Sequence, residues 1–189
     1  MGRVNVTIRP AQTDDVEQLV VLWTDSLRRG SAEQRRSDVL QILAAAASTP
    51  DERVLVAEVD GTVAGVVHLQ VTTLSPVNRE PVVYAVAPHV HPQHRRHGVG
   101  TALMEAAVVF AEERQVALVG AAVVTASREA NRFFARLSLG ARATLRIAST
   151  QSVRHRLTVL RPERAGPHGS RQRDRILAAR RVRRAERVS

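Results

Sequence analysis

The chain contains no cysteine among its 189 residues. Disulfides, zinc fingers, iron–sulfur clusters and cysteine nucleophiles are therefore excluded. Lysine is also missing, since all 28 basic residues are arginine, and this excludes a Schiff-base lysine or a P-loop lysine. Aromatic residues make up only 3% of the chain, so its core must consist mainly of Val, Leu, Ile and Ala.

Long apolar runs are missing as well. The first ten residues, MGRVNVTIRP, lack the apolar run of a signal peptide, and no stretch approaches the length of a membrane span. We therefore expect a cytoplasmic protein that does not contact a membrane. The length and the hydrophobic fraction of 44% predict a globular domain with its own core.

Positive charge is concentrated near the C-terminus. Residues 161–189 hold ten arginines against three acidic residues, a net +7 of the chain's +10. The segment begins with a Pro/Gly/Ser linker, so we place a domain over 1–160 and an arginine-rich tail over 161–189. The tail consists of this linker and a following segment that can form a helix. Such a tail is typical of a solvated terminus. Binding of nucleic acid or an acidic partner, or docking in a homodimer, are the alternatives.

The hydrophobic pattern predicts an α/β domain with a mixed sheet and the element order βααβββαβαββ. Thr13 and Ser31 are expected to cap the first two helices, and Asp60-Gly61 is a strong hairpin turn signal. Pro88 interrupts an apolar strand, where proline is expected only at an edge or a bulge. The predicted strands cover 4–10, 53–72 (a hairpin), 80–90, 116–124, 143–149 and 152–160, and the helices 12–27, 32–47, 98–114 and 127–139.

The stretch HPQHRRHGVGTALMEAA, residues 91–107, places arginines and glycines directly before a predicted helix. The N–H groups at a helix start are unpaired and form an anion site with the helix dipole. Gly98 and Gly100 let a phosphate approach the backbone, and Arg95 and Arg96 add charge-assisted hydrogen bonds. The stretch therefore suits a pyrophosphate. It is no dinucleotide fingerprint, because Leu103 stands where the third glycine is needed.

The segment VHPQHRRHGVGTAL resembles the signature V-x-P-x-x-R-x-x-G-x-G/A-x-x-L of the GNAT superfamily, the acetyl-CoA-dependent N-acetyltransferases. The element order is also similar to that fold, and the resemblance covers about residues 4–160. It implies a mixed, mostly antiparallel sheet flanked by helices. It also implies acetyl-CoA as the acyl donor and no metal.

The resemblance further implies that the loop amides from Arg96 to Thr101 cradle the CoA pyrophosphate, with Arg95 at the family's Arg/Gln position. The strand ending at Val90 and His91 would pair with the pantetheine arm and orient the acetyl carbonyl. The implied cofactor-binding residues are Val90, His91, Arg95, Arg96, His97, Gly98, Val99, Gly100, Thr101, Asn131 and Phe134.

The segment SREANRFFARLSLGA resembles the family's second cofactor segment but departs from it. Phe134 stands where many members carry a tyrosine that protonates the departing CoA thiolate, and phenylalanine has no proton to give. Asn131 is the neighbouring candidate for a polar contact to pantetheine. Core packing remains an equal alternative for Phe133 and Phe134.

Proton transfer therefore needs other residues. Glu80 lies at the start of the strand before the glycine loop and Tyr84 lies within it, and we expect these two to supply acid and base. His89 and His91, near the expected acetyl group, are the remaining candidates. A metal site built from the neighbouring histidines is not expected, because no cysteine is present and acidic residues are distant in sequence.

These features predict an N-acetyltransferase that transfers an acetyl group from acetyl-CoA to a primary amine, of a small molecule or a protein, by direct attack in a ternary complex. The alternative, motivated by Phe134, is a non-catalytic acyl-CoA-binding module whose basic tail recruits nucleic acid or an acidic partner.

Overall fold

The computed structural model describes residues 5–122, 128–142 and 146–160. The chain divides into two compact units, one that ends at Gly140 and one that begins at Ala141. The described elements of the first unit are β1 (Val6–Pro10), α1 (Val16–Leu22), α2 (Ala32–Ala47), β2 (Glu52–Val59), β3 (Thr62–Thr73), β4 (Pro81–Val90), α3 (Val99–Glu113), β5 (Val119–Ala122) and α4 (Arg128–Arg136).

These strands form one five-stranded sheet in the order β1-β2-β3-β4-β5. The first four strands pair antiparallel with their neighbours, whereas β5 is parallel to β4. Helix α3 makes the connection from β4 to β5, as a parallel pair requires. The predicted fold class, a mixed and mostly antiparallel sheet flanked by helices, is confirmed.

The turn between β2 and β3 is the predicted Asp60-Gly61. Both residues have positive φ angles, 52° and 76°, the combination that a two-residue type I′ hairpin turn needs. The turn fixes the register between the strands, beginning with Val59 opposite Thr62.

Apolar side chains cover both faces of the sheet. On one face, α3 contributes Leu103, Phe110 and other residues to a cluster with Val67 and Val83. On the opposite face, α1 and α2 pack Leu19, Val39 and their neighbours against Val56 and Val66. As the composition predicts, the buried core is mainly aliphatic, with Phe110 and Trp23 as its buried aromatic residues among those described.

The N-termini of α1 and α2 differ from each other. Ser31 caps α2 as predicted, since its Oγ accepts a hydrogen bond from the Gln34 N–H at 3.2 Å. The predicted Thr13 cap is wrong, because Thr13–Asp15 form a 3-10 turn that precedes α1. The Gln12 N–H donates to Asp15 Oδ2 at 2.7 Å, so the Asp15 carboxylate, rather than the Thr13 hydroxyl, bonds to the backbone at this turn.

Asp15 also belongs to an ionic cluster that joins β1 to β2 and to the start of α1. The Arg9 guanidinium donates to both oxygens of Asp15 at 2.7 and 2.8 Å and to Glu58 Oε1 at 2.7 and 2.9 Å. The bond from Arg9 holds the pKa of the buried Asp15 carboxyl below its usual value, and the two carboxylates raise the pKa of Arg9.

The predicted strand over 152–160 is wrong, because these residues lie in a helix, α5 (Thr150–Leu160). Ser149 precedes α5, and its Oγ accepts from the Ser152 N–H at 3.1 Å, which favours a helix start. Val153, Leu157 and Leu160 have helical spacing, which the alternation-based prediction missed. Of the predicted strand over 143–149, residues 146–149 have no regular structure and 143–145 lie outside the described residues.

Candidate functional site

The candidate site is built around a bulge in β4. Val66 of β3 pairs with His89, and His68 of β3 pairs with Val86. One residue of β3 therefore lies opposite two of β4, Ala87 and Pro88, which is a β-bulge. Proline, which has no backbone N–H, is tolerated here because a bulge residue does not have to donate a hydrogen bond to the neighbouring strand. Ala87 has a φ of 44°, an uncommon backbone conformation for a side chain with a Cβ.

Trp23 holds this bulge from the end of α1. Its indole Nε1 donates a hydrogen bond to the Ala87 carbonyl at 2.9 Å, and its side chain is buried. The carbonyl that the bulge removes from the sheet ladder thus has a partner, as a buried polar group requires. The contact joins the segment that follows α1 to the part of β4 that precedes His89.

Beyond the bulge, β4 sends alternate side chains to opposite faces of the sheet. Val90 packs against the α3-side cluster. His89 lies directly opposite Val66, a member of the cluster under α1 and α2, so its ring is on the other face. The His91 N–H extends the pairing with a 2.8 Å bond to the Ala64 carbonyl.

The glycine loop follows β4 and ends at the first turn of α3. Arg96 and Gly98 have φ angles of 65° and 85°, and Gly98 is the N-cap residue of α3. The Ala102 N–H donates to the Gly98 carbonyl at 2.9 Å, so the N–H groups of Val99, Gly100 and Thr101 precede the intrahelical bonds. The sequence predicts an anion site at these donors, where the helix dipole also favours negative charge.

The space beside the two glycines differs. No heavy atom lies within 4 Å of the position that a Cβ on Gly98 would occupy. A Cβ on Gly100 would lie 3.4 Å from Phe133 Cζ and 3.8 Å from Val90 Cγ2. Gly100 therefore lies between the end of β4 and α4, where a side chain would contact Val90 and Phe133, whereas the space beside Gly98 is open.

Basic side chains surround the loop. Arg95, Arg96 and His97 are exposed, and Arg95 Nη1 lies 3.4 Å from Glu129 Oε2 at the start of α4. Within the described residues, no hydrogen bond occupies the side chains of Arg96 and His97. The loop thus presents uncompensated positive charge next to its free amides.

Helix α4 places Phe133, rather than Phe134, next to Gly100. The two rings pack edge to face with centroids 5.3 Å apart, and both contact the α3-side core cluster. Asn131 is exposed on the same helix. The sequence did not distinguish the two rings, because adjacent helical residues differ by about 100° in direction and only packing shows which one faces the loop.

A cavity of about 340 Å³ lies on the opposite face of β4. It is lined by Val21, Leu22, Thr24, Asp25, His89, His91, Pro92 and Arg95. Burial lowers the pKa of the half-buried His89, the positive charge of Arg95 and His91 lower it further, and the Asp25 carboxylate opposes them. In the sequence, Asp25 is one of four acidic residues, with Asp14, Asp15 and Asp38, that would form an amine site if several converged. Of these four, Asp25 lines this cavity, and spacing could not show that because α1 and β4 are far apart along the chain.

A second depression of about 380 Å³ adjoins this cavity, and the two share Val21, Leu22 and His91. Glu17, Gln18, Gln93 and His94 supply its polar lining. The His91 and His94 rings lie 5.9 Å apart between centroids. The two depressions therefore adjoin each other at these shared residues.

Glu80 and Tyr84 lie elsewhere on β4 and its preceding loop. The Tyr84 hydroxyl donates to the Leu74 carbonyl at 3.1 Å, and its ring covers Gly120, where a Cβ would lie 2.8 Å from Tyr84 Cε1. Glu80 is exposed. Tyr84 precedes His89 by five residues, or about 16 Å of strand. Among the described residues, the cavity beside His89 is lined by neither of them, and their roles stay predictions.

Two further properties hold for the described part of the chain. No group of three or more His, Cys, Asp or Glu side chains is placed to bind a metal ion. No helix there has the length and the apolar character to cross a membrane.

Comparison with known proteins agrees with this geometry. The model of the acetyltransferase (GNAT) family matches residues 16–139. An uncharacterized N-acetyltransferase from Archaeoglobus fulgidus is 32% identical over 130 residues, which cover 68% of this chain and 88% of that protein.

Two crystal structures share the fold. A transcriptional regulator from Bacillus halodurans C-125 superimposes with a TM-score of 0.63 at 20% identity, over 77% of this chain and 100% of that one. The aminoglycoside acetyltransferase AAC(6')-Iy, in complex with the bisubstrate analogue CoA-S-monomethyl-acetylneamine, gives a TM-score of 0.62 at 15% identity, over 77% and 98% of the two chains.

Proposed function

The chain belongs to the GNAT family of acetyltransferases, and on that basis we propose that it transfers an acetyl group from acetyl-CoA to a primary amine. The observation that carries the proposal is the start of α3, where unpaired N–H groups, two glycines and exposed arginines come together. A CoA pyrophosphate is an anion that this arrangement suits.

In this proposal, the amides from Arg96 to Thr101 bind the pyrophosphate, and His97 faces it. Arg95 exchanges its exposed contact with Glu129 for a phosphate oxygen. Such an exchange costs little because a solvent-exposed ion pair contributes little free energy. The role of the glycines is to leave the backbone accessible.

The pantetheine arm would extend from the loop along β4, past Val90 and His91, with Asn131 and Phe134 of α4 beside it. Backbone groups near the bulge are then available to orient the acetyl carbonyl. The acceptor amine would approach from the other face, through the cavity beside His89. Acetyl-CoA and amine are held together in a ternary complex, so positioning supplies much of the rate enhancement.

The reaction itself is a direct displacement. The amine nitrogen attacks the thioester carbon, a C–N bond forms, the C–S bond breaks, and the CoA thiolate receives a proton while the nitrogen loses one. Glu80 and Tyr84 are the residues that the sequence predicts for these proton transfers. The variants Glu80→Gln and Tyr84→Phe test that prediction through kcat, with CoA affinity as the control for intact cofactor binding.

The test of the proposal is the release of CoA thiol from acetyl-CoA by the full chain. The acceptors are neamine, spermidine and a short peptide with a free α-amino group, which sample a small molecule, a polyamine and a protein terminus. Amine-dependent thiol release with formation of the N-acetyl product supports the proposal. Tight acetyl-CoA binding without thiol release from any acceptor contradicts it.

The second outcome would favour the alternative of a non-catalytic acyl-CoA-binding module. Two observations motivate that alternative: Phe134 stands at the family's tyrosine position, and the Tyr84 hydroxyl is already bonded to the Leu74 carbonyl. The arginine-rich tail, 161–189, would then recruit nucleic acid or an acidic partner. Duplex DNA binding by the full chain should then weaken as the salt concentration rises, and removal of the tail should abolish it.

A further inference from the structure

The acceptor-side cavity contains a polar pair that the sequence did not single out. His89 lines it from β4 and Asp25 lines it from the segment after α1. Burial and the positive charge of Arg95 lower the pKa of the His89 imidazole, and the negative charge of Asp25 opposes this change, although no hydrogen bond joins the two side chains in the described part of the chain. Among the described residues, the Asp25 side chain has no hydrogen bond that would engage it elsewhere.

The backbone holds these two residues in the same place. Trp23 lies two residues before Asp25, and Ala87 lies two residues before His89. The 2.9 Å hydrogen bond from Trp23 to the Ala87 carbonyl therefore links the two short segments that carry the pair. Because the Trp23 side chain is buried, this link is rigid in comparison with an exposed turn.

His89 also lies in the correct part of β4 for the reaction. Val90, its neighbour, faces the glycine loop through Gly100, whereas His89 faces the cavity on the other side of the strand. A donor that extends from the loop along β4 and an amine in the cavity would meet at this strand.

With the proposed acetyl transfer as its basis, we propose that His89 accepts the proton of the attacking amine and that the carboxylate of Asp25, which lines the same cavity, stabilises the imidazolium through its charge. The ammonium form of the acceptor gives one proton to the imidazole, and the free amine then attacks the thioester carbon. The nitrogen loses its second proton as the amide forms, and the departing thiolate takes one. His91 and His94 continue from His89 toward solvent and provide a route for the remaining proton.

The charges that face His89 determine its pH dependence. Asp25 comes from the segment after α1, His91 from the end of β4 and Arg95 from the glycine loop, while the partner on β3 is the apolar Val66. Burial and the two basic neighbours favour the neutral imidazole, so its pKa lies below the ordinary value of 6.5. His89 is then ready to accept a proton at neutral pH.

The pairing is tested first without any reaction. The His89 imidazole signal is identified in NMR spectra by its loss in His89→Gln, and its titration is followed in the wild type and in Asp25→Asn. We expect a pKa below 6.5 in the wild type and a still lower one in Asp25→Asn, because the carboxylate that raises it is gone. An unchanged titration would overturn the pairing, and this result does not depend on any acetyl acceptor.

The role in catalysis is tested with the amine from the panel that gives the fastest thiol release. His89→Gln should lower kcat/KM by about 10²–10⁴-fold. It should also remove the acid limb of the pH profile, which is the decrease of kcat/KM at low pH. Acetyl-CoA affinity should be unchanged. Asp25→Asn should lower kcat/KM less than His89→Gln does and move the acid limb to lower pH, because a negative charge that lines the cavity is lost. His155→Gln, an exposed substitution on α5, is the matched control.

The kinetic results distinguish a failure of the His89 inference from a failure of the acetyltransferase proposal. A His89→Gln enzyme with the wild-type acid limb overturns the inference and leaves the acetyltransferase proposal intact. A wild type that binds acetyl-CoA and acetylates no amine defeats the acetyltransferase proposal, and the catalytic role of His89 with it.

Discussion

The indole Nε1 of Trp23 lies 2.9 Å from the Ala87 carbonyl oxygen. This hydrogen bond joins the end of α1 to the bulge of β4, and it is the closest link between the segment carrying Asp25 and the one carrying His89. Ala87 is held there with a φ of 44°, which the surrounding structure must stabilise. The Trp23–Ala87 bond therefore helps to position the backbone beside the cavity that His89 lines.

The variant Trp23→Phe tests this relationship. It leaves the Ala87 carbonyl without a partner and should lower the free energy of unfolding by about 1–3 kcal/mol, with a further loss from reduced packing. Acetyl-CoA affinity should change little, because Val90 and Phe133 rather than Trp23 adjoin Gly100, whereas the KM for the amine should rise. Urea unfolding and steady-state kinetics measure the three quantities.

Thr24→Ala is the control for the unfolding measurement alone, because Thr24 also lines the cavity beside His89. Its side chain is exposed, and its hydroxyl donates to the Val20 and Val21 carbonyls of α1. Equal destabilisation by both substitutions would show that the bond to Ala87 contributes nothing specific.

The Arg9–Asp15–Glu58 cluster predicts a stability that depends on pH. The pKa of Asp15 is lowered in the folded protein, mainly by its bond from Arg9, from an ordinary value of 3.8. The stabilisation is therefore present above pH 3.8 and is lost as the pH falls through the lowered pKa. Urea unfolding from pH 7 to pH 2.5 should show a decline that is shallower in Asp15→Asn.

Removal of the cation from the same cluster should have a larger effect at neutral pH. Arg9→Gln leaves the buried Asp15 carboxylate without its charged partner, and we expect a loss of about 2–3 kcal/mol. Arg28→Gln removes an exposed partner of Asp38 and should be close to neutral. Comparable losses in the two variants would contradict the structural role of the Arg9 cluster.

Gly65 is predicted to be the glycine where a small side chain is least tolerated near the site. A Cβ there would lie 2.9 Å from both the His89 carbonyl oxygen and Val99 Cγ1. Gly65→Ala must therefore displace β4 or the start of α3, at a cost of about 1–3 kcal/mol, and should weaken acetyl-CoA binding. Gly140→Ala, where a Cβ meets nothing within 4 Å, is the control, and both quantities are measured by unfolding and calorimetry.

The sequence predicted the elements that local chemistry determines. The Asp60-Gly61 turn, the Ser31 cap and the strand–glycine–helix order around Gly98 follow from residues close together in the chain, and each is present in the structure. The strand over 152–160 was wrong because Val153 and Leu157 fit a helical period as well as an alternating one, and a serine cap favoured the helix.

The site was predictable in part for the same reason. The glycine loop is a contiguous motif, so the sequence shows it directly. Asp25 and His89 line the same cavity, and Phe133 lies next to Gly100, because distant segments pack together in ways that no spacing reveals. The bulge at Pro88 was suggested by proline chemistry, but its hydrogen bond to Trp23 depends on how α1 crosses the sheet.

The measurement that tests the central claim most directly is calorimetric titration of acetyl-CoA into the wild type, Gly100→Glu and Gly140→Glu. Gly100→Glu places a carboxylate at the first turn of α3, whereas Gly140→Glu adds the same charge at an open position. We expect wild type and Gly140→Glu to bind equally and Gly100→Glu to bind at least about tenfold more weakly, the equivalent of one lost charge-assisted contact. No binding by the wild type, or equal binding by all three, would contradict the assignment of the glycine loop as the CoA pyrophosphate site.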